Sequence, residues 1–388
     1  MALKVVLLSK VLPLLEFSLY GQALLWSFLV SAVGPLGSNI AIQTRAVGYL
    51  KQGNVTRLGY LCVQSLCSTI IFSCFLTILI GGSYFLNYLS FDRMISAVLG
   101  VFLGLIQTFF LVKTTVIRSS FDFNRYARLC ASRGFLIFIC YLITLTLDLV
   151  GRYAFFILID IAVTWFLIGS AKLPIQINLS GKILWRFSII KHLKKSLSLT
   201  FFVLSSFVLI NFERIFGYFI LSETEYVVIV FAGIFFSVSA NIQSIANSYI
   251  FPMMAMNYIK NGQGALITQG TLYTLASLIS LSLIGTLTFI ISVDLLIDFF
   301  ENIPLTRILI LFIAILSALR VSDFLSNVFL LLNKERTLIY IRLSACLIGL
   351  VYVLFNIGSI DLIFVALVIT SIMYILSFVV LMIKLKSN

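Results

Sequence analysis

Apolar residues run through this chain in stretches of about 18 or more, each ended by a short cluster of charged residues, Gly or Pro. A helix rising about 1.5 Å per residue crosses a hydrocarbon core of about 30 Å in such a stretch. Windows of about 19 residues predict spans near 17–43, 58–80, 94–117, 134–151, 153–171, 197–221, 226–250, 265–291, 305–332, 338–356 and 361–383. That makes eleven full spans. The runs are continuous, whereas barrel strands of about 10 residues would alternate, so the expected class is an all-α, polytopic membrane protein.

Composition sharpens this picture. The chain is 61% hydrophobic and 11% charged, against about 25% charged in soluble domains, so it has too little polar surface to face water all round. The net charge of +13 does not point to nucleic acid, because Lys and Arg sit in short loops between spans. Arg45, Lys51, Arg57, Lys113, Arg118, Arg125, Arg128, Arg133, Lys172 to Lys195, Lys260, Lys334, Arg336, Arg342, Lys384 and Lys386 fall on one side; only Arg93, Arg152 and Arg307 fall on the other. The first side is therefore cytoplasmic. The six Cys are scattered without metal or redox spacing and read as small apolar fillers. A single histidine, His192, excludes a two-His metal motif, and no GxxxxGK loop occurs. The chain is thus expected to be no enzyme and to carry no cofactor, with uphill work drawn from an ion or substrate gradient unless an ATPase subunit is supplied. Met1 to Leu15 leads directly into a span without a small-residue cleavage site, so it does not read as a cleaved signal.

An internal repeat organises the spans. Tyr49-Leu-Lys-Gln-Gly53 recurs 209 residues later as Tyr258-Ile-Lys-Asn-Gly262, and Glu16-Phe17 recurs as Glu225-Tyr226. Six spans separate the copies, an even number, so the halves face the same way, as two parallel six-helix lobes. At this offset Met1 meets Ile210, although the second-half helix starts near Leu197. The first helix is therefore shortened: Met1 to Leu15 reads as the outer part of a twelfth helix, either because the start lies upstream or because this copy is degraded. The expected domains are an N-terminal lobe over 1–177, a cytoplasmic linker over 178–196 and a C-terminal lobe over 197–388. The linker reads either as amphipathic, with Ile183, Leu184, Phe187 and Ile190 on the lipid surface, or as a solvated basic loop.

Ionisable residues inside spans cost about 2.5–3.5 kcal/mol each even on mild scales, so each requires a partner or a wet cavity. Asp160, Glu213, Arg214, Arg320 and Asp323 qualify. The i,i+3 spacing of Arg320 and Asp323 lets them pair on one helix, or they line a cavity or gate. Glu213 and Arg214, being adjacent, point apart and need separate partners. On a straight helix Glu213 lies about 24 Å up, where it can also snorkel to the outer interface. Asp160 reads as a proton or cation site, or as an acid bonded to a neighbouring hydroxyl. Ser237, Asn241, Ser244 and Ser248 form one polar helix face, either helix glue or substrate path. Gln22 and Asn39, with Tyr20, Ser27, Ser31 and Ser38, form a looser first-half set.

Two stretches resemble the Wzx-type flippases of O-antigen and capsular polysaccharide synthesis, in the superfamily that also holds MATE drug exporters and the lipid II flippase. One is Glu16-Phe-Ser-Leu-Tyr20 with the Arg45 to Gly53 loop; the other is Asn211-Phe-Glu-Arg-Ile-Phe-Gly-Tyr-Phe-Ile-Leu-Ser-Glu223 with the polar span ending at Phe251-Pro252. The resemblance implies a bacterial inner-membrane protein with a central cavity between its lobes. The cargo would be an undecaprenyl-diphosphate-linked oligosaccharide, moved from the cytoplasmic to the periplasmic leaflet by alternating access. Its partners would be this cargo, membrane lipids, and the polymerase and chain-length regulator of the pathway. On that reading Arg214 meets the diphosphate, with Lys4 and Arg45 next. A MATE-type exporter of cationic amphiphiles and a polymerase or ligase enzyme are the competing readings; the enzyme would need a large periplasmic loop, and the longest outer loop here is about 15 residues.

The parallel repeat makes a direct prediction. Cysteines placed at Lys51 and Lys260 in a cysteine-free background should both react with an impermeant thiol reagent only from the cytoplasmic side. Labelling from opposite sides would exclude two similarly oriented halves.

Overall fold

The computed structural model describes residues 2–120, 122–145, 152–170, 189–299, 303, 305–355 and 361–386. Its elements are α1 (Ala2–Val11), α2 (Leu14–Val33), α3 (Ser38–Lys51), α4 (Val55–Phe85), α5 (Phe91–Ser119), α6 (Phe123–Leu145) and α7 (Arg152–Ser170), then α8 (Ile189–Ile210), α9 (Phe212–Ile220), α10 (Glu223–Phe299), α11 (Arg307–Val321), α12 (Leu325–Leu331), α13 (Glu335–Phe355) and α14 (Leu362–Lys386). No strand occurs among the described residues. Nine helices there are long and apolar enough to cross a membrane, or ten if the bent pair α8 and α9 counts as one span.

Several expected spans are broken, each for a local reason. The span over 17–43 stops at Val33, where Pro35 removes a backbone donor and Leu36 and Gly37 adopt φ of 51° and 75°. The span over 197–221 bends by 64° at Asn211. The span over 305–332 runs from Arg307 to Leu331 with a short interruption after Val321, where Asp323 accepts from Ser326 N at 3.3 Å and Ser326 Oγ at 2.6 Å at the start of the next helix. The spans over 226–250 and 265–291 instead share α10, which turns at Gly262 with φ 77°. Residues 178–188 of the expected linker lie outside the described residues, and 189–196 already belong to α8.

The repeat has a structural counterpart. Gly53 and Gly262 close the recurring segments and both occupy the left-handed region, at φ 66° and 77°, which L side chains disfavour. At the same offset α9 falls on residues 3–11, so α1 is the counterpart of the segment beyond the Asn211 bend.

By its internal packing the chain divides at Ser18/Leu19 and Phe207/Val208. Leu19–Phe207 forms one unit. In it α5 packs against α3, α4, α6 and α7. Ile42, Ala46, Leu58, Cys62, Val112 and Val116 form one core cluster, and Phe110, Ile117, Leu129 and Leu167 another. Gly100 and Gly104 let α5 approach α2 closely: a Cβ on Gly100 would run into the Ala23 carbonyl oxygen, and one on Gly104 would meet Ser27 O at 2.6 Å. Ser27 Oγ donates across this seam to Gln107 Oε1 at 3.1 Å, and Ser96 Oγ to Leu19 O at 2.6 Å. Small residues and hydroxyl bonds are what hold helices together where lipid removes the hydrophobic drive.

Met1–Ser18 and Val208–Asn388 form the other unit. There α10 packs against α1, α9, α11, α12 and α14. Large apolar side chains such as Phe219, Ile259, Ile279 and Phe355 face outward while Thr274, Ser322, Thr370 and Ser377 are buried, the distribution a hydrocarbon solvent imposes.

Overpacking the α2–α5 seam should cost about 1–3 kcal/mol. Gly104→Val should lower the melting temperature of the detergent-solubilised protein, whereas Gly81→Ala, whose Cβ meets nothing within 4 Å, should leave it unchanged.

Candidate functional site

The ionised groups of the second unit gather where helices end. Asn211 interrupts the first span there, and α9 begins with Phe212 and Glu213. Glu213 sits in the first turn of α9 and Arg320 in the last turn of α11. A carboxylate at a helix N-terminus and a guanidinium at a C-terminus each complement the local dipole. The two meet: Arg320 Nη2 donates to Glu213 Oε2 at 2.9 Å, with both side chains buried. The Arg320 guanidinium also lies 3.9 Å above the centre of the Phe236 ring. The Tyr374 hydroxyl donates to Leu319 O at 2.5 Å, satisfying one of the carbonyls left over at the end of α11.

This geometry corrects the i,i+3 pairing of Arg320 with Asp323. The helix ends at Val321, so Asp323 leaves the helical register and turns to Ser326 and to Arg342, whose Nη2 is 3.9 Å from Asp323 Oδ2. Arg342 Nη2 also donates to Ser326 Oγ at 2.9 Å. Gln243 Nε2 donates to Asp323 O at 2.9 Å, and Asn327 Nδ2 to Asn247 Oδ1 at 2.8 Å, tying α10 to the break between α11 and α12. Glu213 is corrected too: it does not snorkel, because the bend carries it into the protein, where it is fully buried.

Arg214 is also buried. Its Nη1 donates to Asn211 Oδ1 at 3.4 Å, and the guanidinium lies against Gly233 of α10. Arg214, Arg320 and Arg342 stand with the carboxylates Glu213 and Asp323, so this interior cluster carries one surplus positive charge among the described residues. Such a cluster suits an anion. A group of three or more His, Cys, Asp or Glu able to hold a metal does not occur among the described residues.

The first unit buries two groups of opposite charge, Asp160 and Arg133. Asp160 is fully buried and accepts from the Tyr141 hydroxyl at 3.1 Å, which lies 3.4 Å from the Tyr20 hydroxyl. Arg133 feels the Asp160 charge, donates through Nε to Thr164 Oγ1 at 3.0 Å, and lies 4.8 Å over the Phe110 ring. Gln22 is buried and its Oε1 has no hydrogen-bond partner among the described residues. Asn39 Oδ1 accepts from Ser65 Oγ at 2.9 Å, which ties α3 to α4. Lys4, Arg45, Asn241 and Ser244 lie on α1, α3 and α10, but their side chains, like those of Ser237 and Ser248, lie outside the described residues.

Of the sequence candidates, then, Glu213, Arg214, Arg320 and Asp323 share one unit, while Asp160 and Gln22 lie in the other. Arg133 and Arg342 were assigned to cytoplasmic loops by their place in the alternation of charge, yet both are buried. For Arg342 the signal was present, since it falls inside the expected span over 338–356, whereas Arg133 precedes the expected span over 134–151 and only the earlier start of its helix, at Phe123, places it deep in one. No sequence pattern marks Gly233, whose role depends on which side chain arrives opposite it.

No family model matches the chain, and no curated protein matches it. Solved structures do. The inward-facing conformation of a multidrug resistance MATE family transporter of the MOP superfamily is 14% identical, with a TM-score of 0.60 over 99% of this chain and 93% of that one. The outward-facing conformation of such a transporter is 15% identical, with a TM-score of 0.62 over 98% and 90%. A MOP superfamily transporter from Pyrococcus furiosus Vc1 (DSM3638), described as having a binding pocket of reverse polarity that suggests a different function, is 14% identical with a TM-score of 0.62 over 98% and 90%. At this identity the likeness is one of architecture: the chain has the fold of the MATE transporters.

Proposed function

We propose that this protein is a flippase for an undecaprenyl-diphosphate-linked oligosaccharide, an O-antigen or capsule repeat unit, moving it from the cytoplasmic to the periplasmic leaflet of a bacterial inner membrane by alternating access. The observation that carries this reading is the net positive charge of the buried cluster in the second unit, where Arg214, Arg320 and Arg342 stand with Glu213 and Asp323. An anionic diphosphate would neutralise that charge, and a guanidinium fork matches phosphate oxygens in a dry site. Of these guanidiniums Arg214, bonded to Asn211 at the helix bend and resting against Gly233, is the one assigned this role. It also lies in the stretch Asn211 to Glu223 that resembles the flippases. The polymerase and chain-length regulator of the pathway are the partners this reading implies.

Export of cationic amphiphiles is the second reading, favoured by the fold shared with multidrug resistance transporters. It fits this interior less well. The carboxylates that would receive a cation, Glu213 and Asp323, already face Arg320 and Arg342. The Pyrococcus furiosus transporter, whose described pocket has reverse polarity, is an example of the same architecture with a different charge pattern.

Charged hydrogen bonds of this kind contribute about 1.5–3 kcal/mol, or roughly 10- to 150-fold in affinity. In a strain dependent on this gene, Arg214→Ala should reduce surface polysaccharide by at least about tenfold while the protein remains in the membrane, and lipid-linked repeat units should accumulate. Normal polysaccharide from that variant would remove the anionic-cargo reading, and loss of drug resistance instead would favour the exporter.

A further inference from the structure

Gly233 lies in the interior of α10, buried, at a position where glycine is unfavourable for a helix and no turn or positive φ calls for it. A Cβ built there would run into Arg214, whose Nη2, Cζ and Nε are its three nearest atoms, all well inside van der Waals contact. The guanidinium thus rests on the α10 backbone in the space a side chain would fill, and Asn211 Oδ1 accepts from its Nη1 at 3.4 Å. The other closely packed glycines differ. Gly34, Gly100 and Gly104 make room chiefly for backbone, Gly37 for the Leu199 backbone and Cβ, and Gly270 and Gly349 chiefly for the aliphatic side chains of Val328 and Ile369. Among the described residues, Gly233 alone has its space filled by an ionisable group.

The repeat points the same way. At the 209-residue offset Arg214 corresponds to Val5 and Gly233 to Leu24, so the first half lacks both the guanidinium and the space for it. We propose that Gly233 is a positioning residue for Arg214: its missing side chain is the seat that fixes the guanidinium plane, so that a phosphate-bearing ligand meets a fork already oriented. A long, flexible side chain otherwise loses rotamer freedom on binding, and a seated one has lost it beforehand. This rests on the reading of Arg214 as the group that meets the anionic cargo, but the seat itself can be tested without any cargo.

The first measurement is a double-mutant cycle on the melting temperature of the purified full-length protein. Gly233→Ala should lower it when Arg214 is present, because the Cβ evicts the guanidinium. In the Arg214→Ala background the same change should be neutral or stabilising, since alanine is the better helix former. Equal destabilisation in both backgrounds would make Gly233 a packing glycine and overturn the proposal. Should Gly233→Ala fail to accumulate, accumulation restored by adding Arg214→Lys, whose slim ammonium can leave the seat, reads the same coupling; no restoration overturns it.

The second measurement is surface polysaccharide. Gly233→Ala should reduce it about tenfold at normal protein level, with partial recovery in the Gly233→Ala, Arg214→Lys double variant. If Arg214→Ala abolishes export and Gly233→Ala leaves it intact, the positioning role falls. If the thermal coupling is present but neither variant alters polysaccharide, the seat stands and the flippase reading falls.

Discussion

A helix that ends inside a hydrocarbon layer leaves backbone donors and acceptors without water to satisfy them, and an ionised side chain there has no solvent either. The Glu213 to Arg320 ion pair answers both demands together. Glu213 offers negative charge at the start of α9, Arg320 offers positive charge at the end of α11, and the two bond at 2.9 Å with the Phe236 ring beneath the guanidinium. Removing either partner would leave a buried charge alone, a change that typically destabilises by about 3–5 kcal/mol. The bend at Asn211 and the break at Ser322 are sustainable because these charges meet.

The same breaks set up the proposed chemistry. The bend takes Glu213 and Arg214 out of the line a straight helix would give them, and turns both into the packed interior. The break after Val321 frees Asp323 to cap α12 and to approach Arg342. Two carboxylates thereby stand among three guanidiniums, and the anionic-cargo reading depends on the net positive charge of this interior.

The two units solve the problem of cohesion in lipid by different means. In Leu19–Phe207 small residues bring α2 and α5 close and hydroxyls bond across the seam, with Asp160 and Arg133 buried among Tyr141, Tyr20 and Thr164. In the unit built from Val208–Asn388 and the first residues, ion pairs and amide bonds do the corresponding work around the helix breaks. Yet the repeat persists beneath this divergence, in the left-handed glycines Gly53 and Gly262 and in the match of α1 to α9. Sharing a backbone plan while differing in buried charge is what allows one copy to specialise.

Run length, charge alternation and the recurrence of Tyr49 to Gly53 at Tyr258 to Gly262 determine the helical class, the membrane setting and the repeat, because each depends only on local composition and period. Those features also mark Asp160, Glu213, Arg214, Arg320 and Asp323 as residues in need of partners. Which partner each takes is a tertiary matter. Helical spacing favours Arg320 with Asp323, but the chain stops being helical at Val321, and a residue 107 positions away takes the guanidinium instead. Gly233 shows the same limit: its identity becomes meaningful only once α9 is laid against α10 with Arg214 on the facing side. A sequence fixes which groups cannot be left alone in a low dielectric, and the packing of helices decides which of them come within reach of one another.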